Sequence, residues 1–318
     1  MKIGFIFPGQ GSQYIGMGCE LAQNYPVAAE VFAQADQELG FPLSRLCFEG
    51  PAEELVQNDI VQPAILVTSL AVRAVLKEAG VHPEVVAGLS VGEYTALVTA
   101  GALSFSDALH LVRKRGLIMR EALPPGQGAM LALIGVTRDL VNNLCQEVAP
   151  LGVVEPCNYN CPGQIVVGGT LPAIAALEEI AVKRGARKAV RVAMNSPSHC
   201  SLLQPAAQRF VPSLVGVTWQ DARIPVVSNV DARPEQSAKM LRHKLAQQLC
   251  QAVLWEDVVW QMEKMGVTHL IEVGPGHTLA GFVRKTTRLI KVNNVEDEVT
   301  FKEVINWLDD AKGGEKAS

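Results

Sequence analysis

The run Val85-Val86-Ala87-Gly88-Leu89-Ser90-Val91-Gly92-Glu93-Tyr94-Thr95-Ala96-Leu97 joins a short strand to a helical segment through a Gly-x-Ser-x-Gly turn. So sharp a strand-to-helix turn leaves no room for side chains beside the serine and holds its backbone in a strained conformation. Ser90 then stands at a helix N-terminus, where the dipole and free amides favour a developing oxyanion. Because the flanking strand and helix are both present, Ser90 reads as a nucleophile. The plain alternative is a Gly/Ser turn that serves packing alone.

The rhythm around this turn is that of an α/β protein with a parallel sheet. A strand at 3–7 is followed by helices at 18–39 and 62–78, a strand at 85–87, and helices after Ser90 and Ser106. From Gly126 the order becomes strand 129–134, helix 138–148, strands 153–158 and 164–168, helix 172–184 and strand 188–194. That is the βαββαβ order of a ferredoxin-like unit. After Asn195 the first pattern returns, with strand 224–227, helices 235–251 and 256–265, and strand 269–273 ending at Gly274-Pro275-Gly276. We therefore expect a larger domain from residues 1–125 and 196–308, an inserted subdomain at 126–195, and a solvated tail at 309–318. The crevice between the two domains is the natural place for a site.

Composition narrows the function classes. With 48% hydrophobic and 19% charged residues the chain is ordinary, which argues against disorder, collagen and coiled coil. A formal net charge of -4, without any zinc-finger, helix-turn-helix or RNP pattern, gives no footprint for nucleic acid. The seven cysteines, Cys19, Cys47, Cys145, Cys157, Cys161, Cys200 and Cys250, form no Cys-x-x-Cys pair, as expected of reduced thiols in a cytoplasmic protein. The apolar start at 3–7 is too short for a signal segment, and no stretch reaches the roughly 18 uninterrupted apolar residues of a membrane span, so neither export nor membrane insertion is expected.

A serine nucleophile needs a base. Among six histidines, His110 falls on a polar helix side, His82 precedes Pro83 in a loop, and His243 lies between Arg242 and Lys244. Two loop histidines stay open: His199 in Asn195-Ser196-Pro197-Ser198-His199, and His277 after Gly274-Pro275-Gly276. The chain order of an α/β-hydrolase triad would favour His277 with an acid such as Asp231. On a helical wheel from Asp107, Arg115 sits in the middle of an apolar arc with Ala108, Leu111, Val112, Met119 and Ala122. A guanidinium there demands an anion, either an internal carboxylate or one on an acyl substrate held near Ser90.

Phe7-Pro8-Gly9-Gln10-Gly11-Ser12-Gln13 fails as a dinucleotide fingerprint, because Tyr14 stands at the third glycine position. Its glycine-rich turn suits instead a backbone N–H donor to an oxyanion. The densest basic run, Lys183, Arg184, Arg187, Lys188 and Arg191, and the second, Arg284, Lys285 and Arg288, would suit a phosphate-bearing or acidic partner, or simply a solvated face.

Together these segments resemble the malonyl-CoA:acyl-carrier-protein transacylases of fatty acid and polyketide synthesis over residues 5–308. The carriers are the 7–13 loop, Gly50-Pro51-Ala52-Glu53-Glu54-Leu55, Gln62-Pro63-Ala64, Gly88-Leu89-Ser90-Val91-Gly92-Glu93-Tyr94, Arg115-Gly116, Asn158-Tyr159-Asn160-Cys161-Pro162-Gly163-Gln164, Pro197-Ser198-His199-Cys200 and Glu272-Val273-Gly274-Pro275-Gly276. The resemblance implies an α/β fold with a hydrolase-like parallel-sheet domain and the ferredoxin-like insertion. It makes Ser90 the nucleophile, His199 its base and Arg115 the clamp for a malonyl carboxylate. The Gln10 and Val91 amides become the oxyanion hole, and the Gln248 main-chain carbonyl orients the histidine. Gln62 lines the pocket, and Met119, on the arc of Arg115, is grouped with them as substrate-binding.

Three departures touch this pattern: Leu89 where many members have histidine, Asn195-Ser196 ahead of Pro197, and Ala252 and Leu254 before Trp255. The implied reaction carries malonyl from malonyl-CoA through a Ser90 ester to the phosphopantetheine of an acyl carrier protein, with no bound cofactor or metal and a monomeric enzyme. The basic run at 183–191 is the expected carrier dock. The rivals are an acyl hydrolase on the same scaffold and a non-catalytic module that docks a carrier protein.

Overall fold

Phe5, Ile6 and Phe7, like Val85, Val86 and Ala87, are buried whichever way they point, as strands covered by helices on both faces must be. A computed structural model describes residues 1–124, 126–192 and 197–316. Among them the strands are β1 (Ile3–Phe7), β2 (Val85–Gly88), β3 (Gly128–Ile134), β4 (Val154–Cys161), β5 (Gln164–Thr170), β6 (Lys188–Arg191), β7 (Val226–Val227), β8 (Pro234–Glu235), β9 (His269–Val273) and β10 (Lys291–Val295). The larger sheet runs β10-β9-β1-β2-β7-β8, parallel except for the β7–β8 pair. Strand alternation divides its side chains between two cores: Phe5, Phe7 and Val86 enter one, Ile6, Val85 and Ala87 the other.

The helix Asn58–Glu78 fills the first core. It is apolar and long enough to cross a membrane by composition, but residues 61–72 are buried within the protein. It starts one turn before the expected residue 62, so Pro63 lies inside it. The smaller sheet, β4-β5-β3-β6, is antiparallel throughout, which is the ferredoxin-like arrangement of βαββαβ. Helices Arg138–Val148 and Leu171–Ala181 pack on it to form a separate core. Residues 249–254 stitch the two sheets together. Val253 exchanges backbone hydrogen bonds with Cys157 (2.8 Å) and Tyr159 (2.9 Å) of β4, and Leu254 N donates to Asn229 O beyond β7 (2.9 Å).

Several expected elements shift for local reasons. The helix expected at 18–39 is two, Cys19–Asn24 and Pro26–Leu39, because Pro26 begins a new helix at its first position. The helix expected at 235–251 is Ala238–Gln248, since Pro234 and Glu235 pair with β7. The expected tail at 309–318 is helical as far as Lys316: Glu298–Lys316 is one helix, started by Thr300 N donating to Asp297 Oδ1 (2.8 Å) and anchored by buried Phe301, Val304 and Leu308. The last residues expected in the final small-sheet strand, Ala193 and Met194, lie outside the described residues, as do Pro125 and Asn195-Ser196 at the expected domain junctions.

The helix Phe105–Arg120, capped by Ser104, crosses Asn58–Glu78 at Gly116. A Cβ on Gly116 would lie 2.2 Å from Asn58 O and 2.5 Å from its carbonyl carbon, both backbone atoms that cannot swing aside. Gly116→Ala is expected to lower the unfolding free energy by about 1–3 kcal/mol, read from denaturant titration. An unchanged midpoint would mean that the two helices separate at no cost.

Candidate active site

Ser90 occupies the turn between β2 and the helix Gly92–Thr99 with φ 55°, in the left-handed region that non-glycine residues seldom adopt. Both glycines of the motif are fixed by close backbone approach. A Cβ on Gly88 would lie 2.0 Å from the Gly92 carbonyl, and one on Gly92 2.3 Å from Phe7 O. Asn229, fully buried just past β7, brackets the turn: its Nδ2 donates to Gly88 O (2.7 Å) and its Oδ1 accepts from Ser90 N (2.8 Å). Sequence reasoning passed over Asn229. The available signal was a polar residue at the C-terminal end of a strand, where open α/β sheets place their sites.

His199 also has positive φ, 61°, and its amide is held by Leu249 O (3.0 Å). Its Nε2 lies 2.7 Å from Ser90 Oγ and its Nδ1 2.7 Å from Gln248 O. A carbonyl only accepts, so Nδ1 carries the proton and the Nε2 lone pair faces the serine hydroxyl. Burial, and then the Arg115 charge, hold the imidazole pKa down to about 3, so His199 is neutral across the ordinary pH range. The other histidine left open, His277, is 75% exposed beside Glu296, and Asp231 pairs with Lys244 at 3.0 Å. Ala252 and Leu254 leave the Gln248 carbonyl within reach of His199.

Arg115 is 1% exposed. Its Nη1 donates to Gln62 Oε1 (2.7 Å), and its Nη2 to Ser90 Oγ (3.0 Å) and Gln248 Oε1 (3.3 Å). Among the described residues no carboxylate pairs with it, and its buried Nε has no acceptor. Of the two anions the sequence left open, the internal carboxylate is thus not found among the described residues. Gln62 is fully buried, and its amide nitrogen lies 3.4 Å from Met119 Sδ.

Glu93, three residues after the nucleophile, is 3% exposed, with Oε2 2.5 Å from Gln248 Nε2. Burial pushes its carboxyl up to about 7, against the pull of the Gln248 hydrogen bond and of Lys244. The hint in the sequence was a carboxylate in the first turn of an otherwise apolar helix.

Ser90 and His199 open onto a cavity of about 200 Å3, lined by strands of the smaller sheet and by loops and helices of the larger domain. Gln10, Leu89, Met119 and Phe282 come from the larger domain, and Met130, Asn158, Asn160, Val166 and Val192 from the smaller. The backbone amides of Gln10 and Val91 donate to no acceptor among the described residues. The basic run occupies the loop before β6 and β6 itself, the edge strand of the smaller sheet. Lys183, Arg184, Arg187 and Lys188 are exposed, while Arg184 and Arg191 pair with Glu147 and Glu178 at 2.7 Å each. No group of three or more His, Cys, Asp or Glu side chains among the described residues is arranged to hold a metal.

A serine made nucleophilic by a neutral histidine, facing a buried cation and free amides, is equipped for acyl transfer through a covalent ester. The model of the acyl transferase domain matches residues 4–308. The malonyl CoA-acyl carrier protein transacylase of Bacillus subtilis (strain 168) is 44% identical over 308 residues, 96% of this chain and 97% of the relative. The solved structure of the malonyl CoA-acyl carrier protein transacylase from Clostridium perfringens Atcc 13124 matches with a TM-score of 0.96 at 36% identity, covering 99% of this chain and 100% of that one. A malonyl-transacylase solved in complex with its type II polyketide acyl-carrier protein matches with a TM-score of 0.92 at 40% identity, covering 94% and 97%. Motif, geometry and near full-length likeness agree: the chain belongs to the acyl transferase family, among the malonyl-CoA:acyl-carrier-protein transacylases.

Proposed function

We propose that this enzyme moves malonyl from malonyl-CoA to the phosphopantetheine thiol of an acyl carrier protein through an ester on Ser90. Arg115 carries this reading: a buried guanidinium with neutral partners, 3.0 Å from Ser90 Oγ, suits an acyl group that ends in a free carboxylate. His199 Nε2 takes the Ser90 proton as Oγ adds to the thioester carbonyl, and the Gln10 and Val91 amides receive the oxyanion. The C–S bond then breaks, and the leaving thiolate recovers the proton from His199. In the second half the carrier thiol gives its proton to His199, its sulfur adds to the ester carbonyl, and the Ser90 oxygen leaves with that proton. Met119 lines the cavity with Gln62 behind it, between Met119 Sδ and Arg115, and the Gln248 carbonyl keeps the histidine tautomer.

In this reading the larger domain, 1–125 and 196–308, and the smaller, 126–195, grip the substrate between them in a monomeric, cytoplasmic enzyme. The carrier docks along Lys183, Arg184, Arg187, Lys188 and Arg191. Val192, next in the chain, lines the cavity, so a carrier held there has its arm near the entrance. Because Arg184 and Arg191 already have carboxylate partners, Lys183, Arg187 and Lys188 contribute most of the free charge.

Intact-protein mass spectrometry after incubation with malonyl-CoA tests the reaction. A malonyl adduct is expected on wild type and not on Ser90→Ala, and it should move to a pantetheinylated carrier. Loss of the adduct to water at the same rate with or without carrier would mean a hydrolase, and no adduct at all a docking module. Arg115→Ala is expected to lower kcat/KM for malonyl-CoA by roughly 10- to 100-fold, the worth of hydrogen bonds to a charge, with little effect on acetyl-CoA. An unchanged malonyl preference would remove the clamp.

The pH profile tests the base. With its pKa held down to about 3, His199 should keep kcat/KM for Ser90 acylation level from neutral pH down past 6.5, with the acid limb falling only toward pH about 3. Arg115→Ala removes a positive neighbour, so its acid limb, followed with acetyl-CoA, should move to higher pH. A limb near 6.5 in both proteins would contradict the assigned base environment.

A further inference from the structure

We propose that Glu93 is a positioning residue for Arg115, acting through the Gln248 side chain, and that it thereby sets the preference for carboxylated acyl groups. The inference rests on the malonyl-transfer reading and extends it to a residue that touches no substrate.

The side chain of Gln248 links three parts of the site. Its Nε2 donates to Glu93 Oε2 (2.5 Å) and to Ser90 O (2.8 Å), and its Oε1 accepts from Arg115 Nη2 (3.3 Å). The Arg115 guanidinium can only donate and the Ser90 carbonyl can only accept, so the amide has one orientation that satisfies both, and that orientation turns its NH2 to a Glu93 oxygen. Turned over, it would set its oxygen against the Glu93 carboxylate and the Ser90 carbonyl, and its NH2 against the guanidinium. Gln248 is fully buried and Glu93 nearly so, and no water competes for these bonds at bulk strength.

Arg115 has no carboxylate partner among the described residues, and Glu93 is the carboxylate that it reaches through one intervening amide. The same Nη2 that bonds Gln248 Oε1 also bonds Ser90 Oγ. The relay therefore fixes where the cation stands relative to the nucleophile, which is the distance an acyl group with a terminal carboxylate must span. An acetyl group has no charge to place at Arg115 and is indifferent to that distance.

The test compares malonyl-CoA and acetyl-CoA with wild type, Glu93→Ala, Glu93→Gln and Gln248→Met. Gln248→Met keeps the main-chain carbonyl that orients His199 and removes the relay together with the side chain's bond to Ser90 O. Glu93→Ala is expected to raise KM for malonyl-CoA about tenfold, with kcat changing less and acetyl-CoA kinetics within about twofold of wild type, and Gln248→Met to raise the malonyl KM about tenfold beyond whatever it loses with acetyl-CoA. Glu93→Gln, which retains an acceptor oxygen, should recover most of the malonyl loss. In an Arg115→Ala background, Glu93→Ala should add no further malonyl loss, because the residue it positions is gone.

Equal losses with both thioesters, or a further malonyl loss in the Arg115→Ala background, would make Glu93 a general support of the turn and overturn the inference. Where Glu93→Ala does not fold, Gln248→Met and Glu93→Gln decide the matter, and an unchanged malonyl KM in Gln248→Met also overturns it. Should wild type form no malonyl ester at all, the malonyl-transfer reading itself fails. Wild-type transfer with Glu93-independent selectivity sinks only the relay.

Discussion

A buried guanidinium that hydrogen-bonds to no carboxylate among the described residues is the interaction on which this site turns. Taking Arg115 out of water carries a desolvation penalty of several kcal/mol, and among the described residues its direct partners are neutral: Gln62, the Gln248 side chain, the Ser90 hydroxyl and the Tyr94 ring 5.8 Å away, with the Glu93 carboxyl acting on it at longer range. Such an arrangement is less stable than an internal salt bridge would be, and it leaves the cation's charge unspent. A carboxylate arriving about 4 Å away gains on the order of 4 kcal/mol of Coulomb energy at an effective dielectric near 20. It must displace existing hydrogen bonds to do so, which brings the net closer to the 1.5–3 kcal/mol of a charge-assisted bond. That is still enough to separate malonyl from acetyl.

Both side chains proposed to react stand on strained backbone. Ser90 and His199 have positive φ, and residues so placed cost on the order of 1–3 kcal/mol each. The surroundings over-determine both. Gly88 and Gly92 allow β2, its following helix and the Phe7 carbonyl to close around Ser90, while Asn229 ties the turn across to β7. His199 is held by Leu249 O through its amide and by Gln248 O through its ring. The two clamps meet because residues 249–254 are pinned to both sheets at once, so the 2.7 Å separation of Oγ and Nε2 is set by tertiary structure rather than by either loop.

What the sequence made legible follows from how local each cause is. The turn around Ser90 announces itself because its strand, glycines and helix are contiguous, and the βαββαβ order is written in periodicity alone. Arg115 stood out because a charge on an apolar arc breaks the pattern of its own helix. His199 and His277 could not be separated, since each follows a loop after a strand and only folding reveals that one is buried at Ser90 and the other solvated beside Glu296. Asn229 acts on Gly88 from 141 residues away, so no local pattern reveals it. β10 escaped because Asn293 and Asn294 interrupt its apolar run, and the parallel pairing with β9 that makes it a strand is a tertiary fact.

In the proposed reaction the cation that selects the acyl group also tunes the base. With the pocket open to water, Arg115 adds to burial in keeping His199 unprotonated, so the histidine is ready to accept a proton but weakly basic. A malonyl carboxylate at Arg115 cancels much of that positive field and shifts the imidazole toward stronger basicity at the moment a thioester carbonyl lies over Ser90 Oγ. Basicity then rises with occupancy by the carboxylated substrate and stays low for an acyl group that leaves Arg115 unpaired. The carboxylate remains on the Ser90 ester after coenzyme A departs, so the enhanced base is still in place when a carrier thiol must be deprotonated. Water has a much higher pKa than a thiol and gains far less from a base of this strength. In the proposed mechanism a site built around an arginine that hydrogen-bonds to no carboxylate among the described residues therefore favours malonyl in the first half-reaction and a thiol in the second.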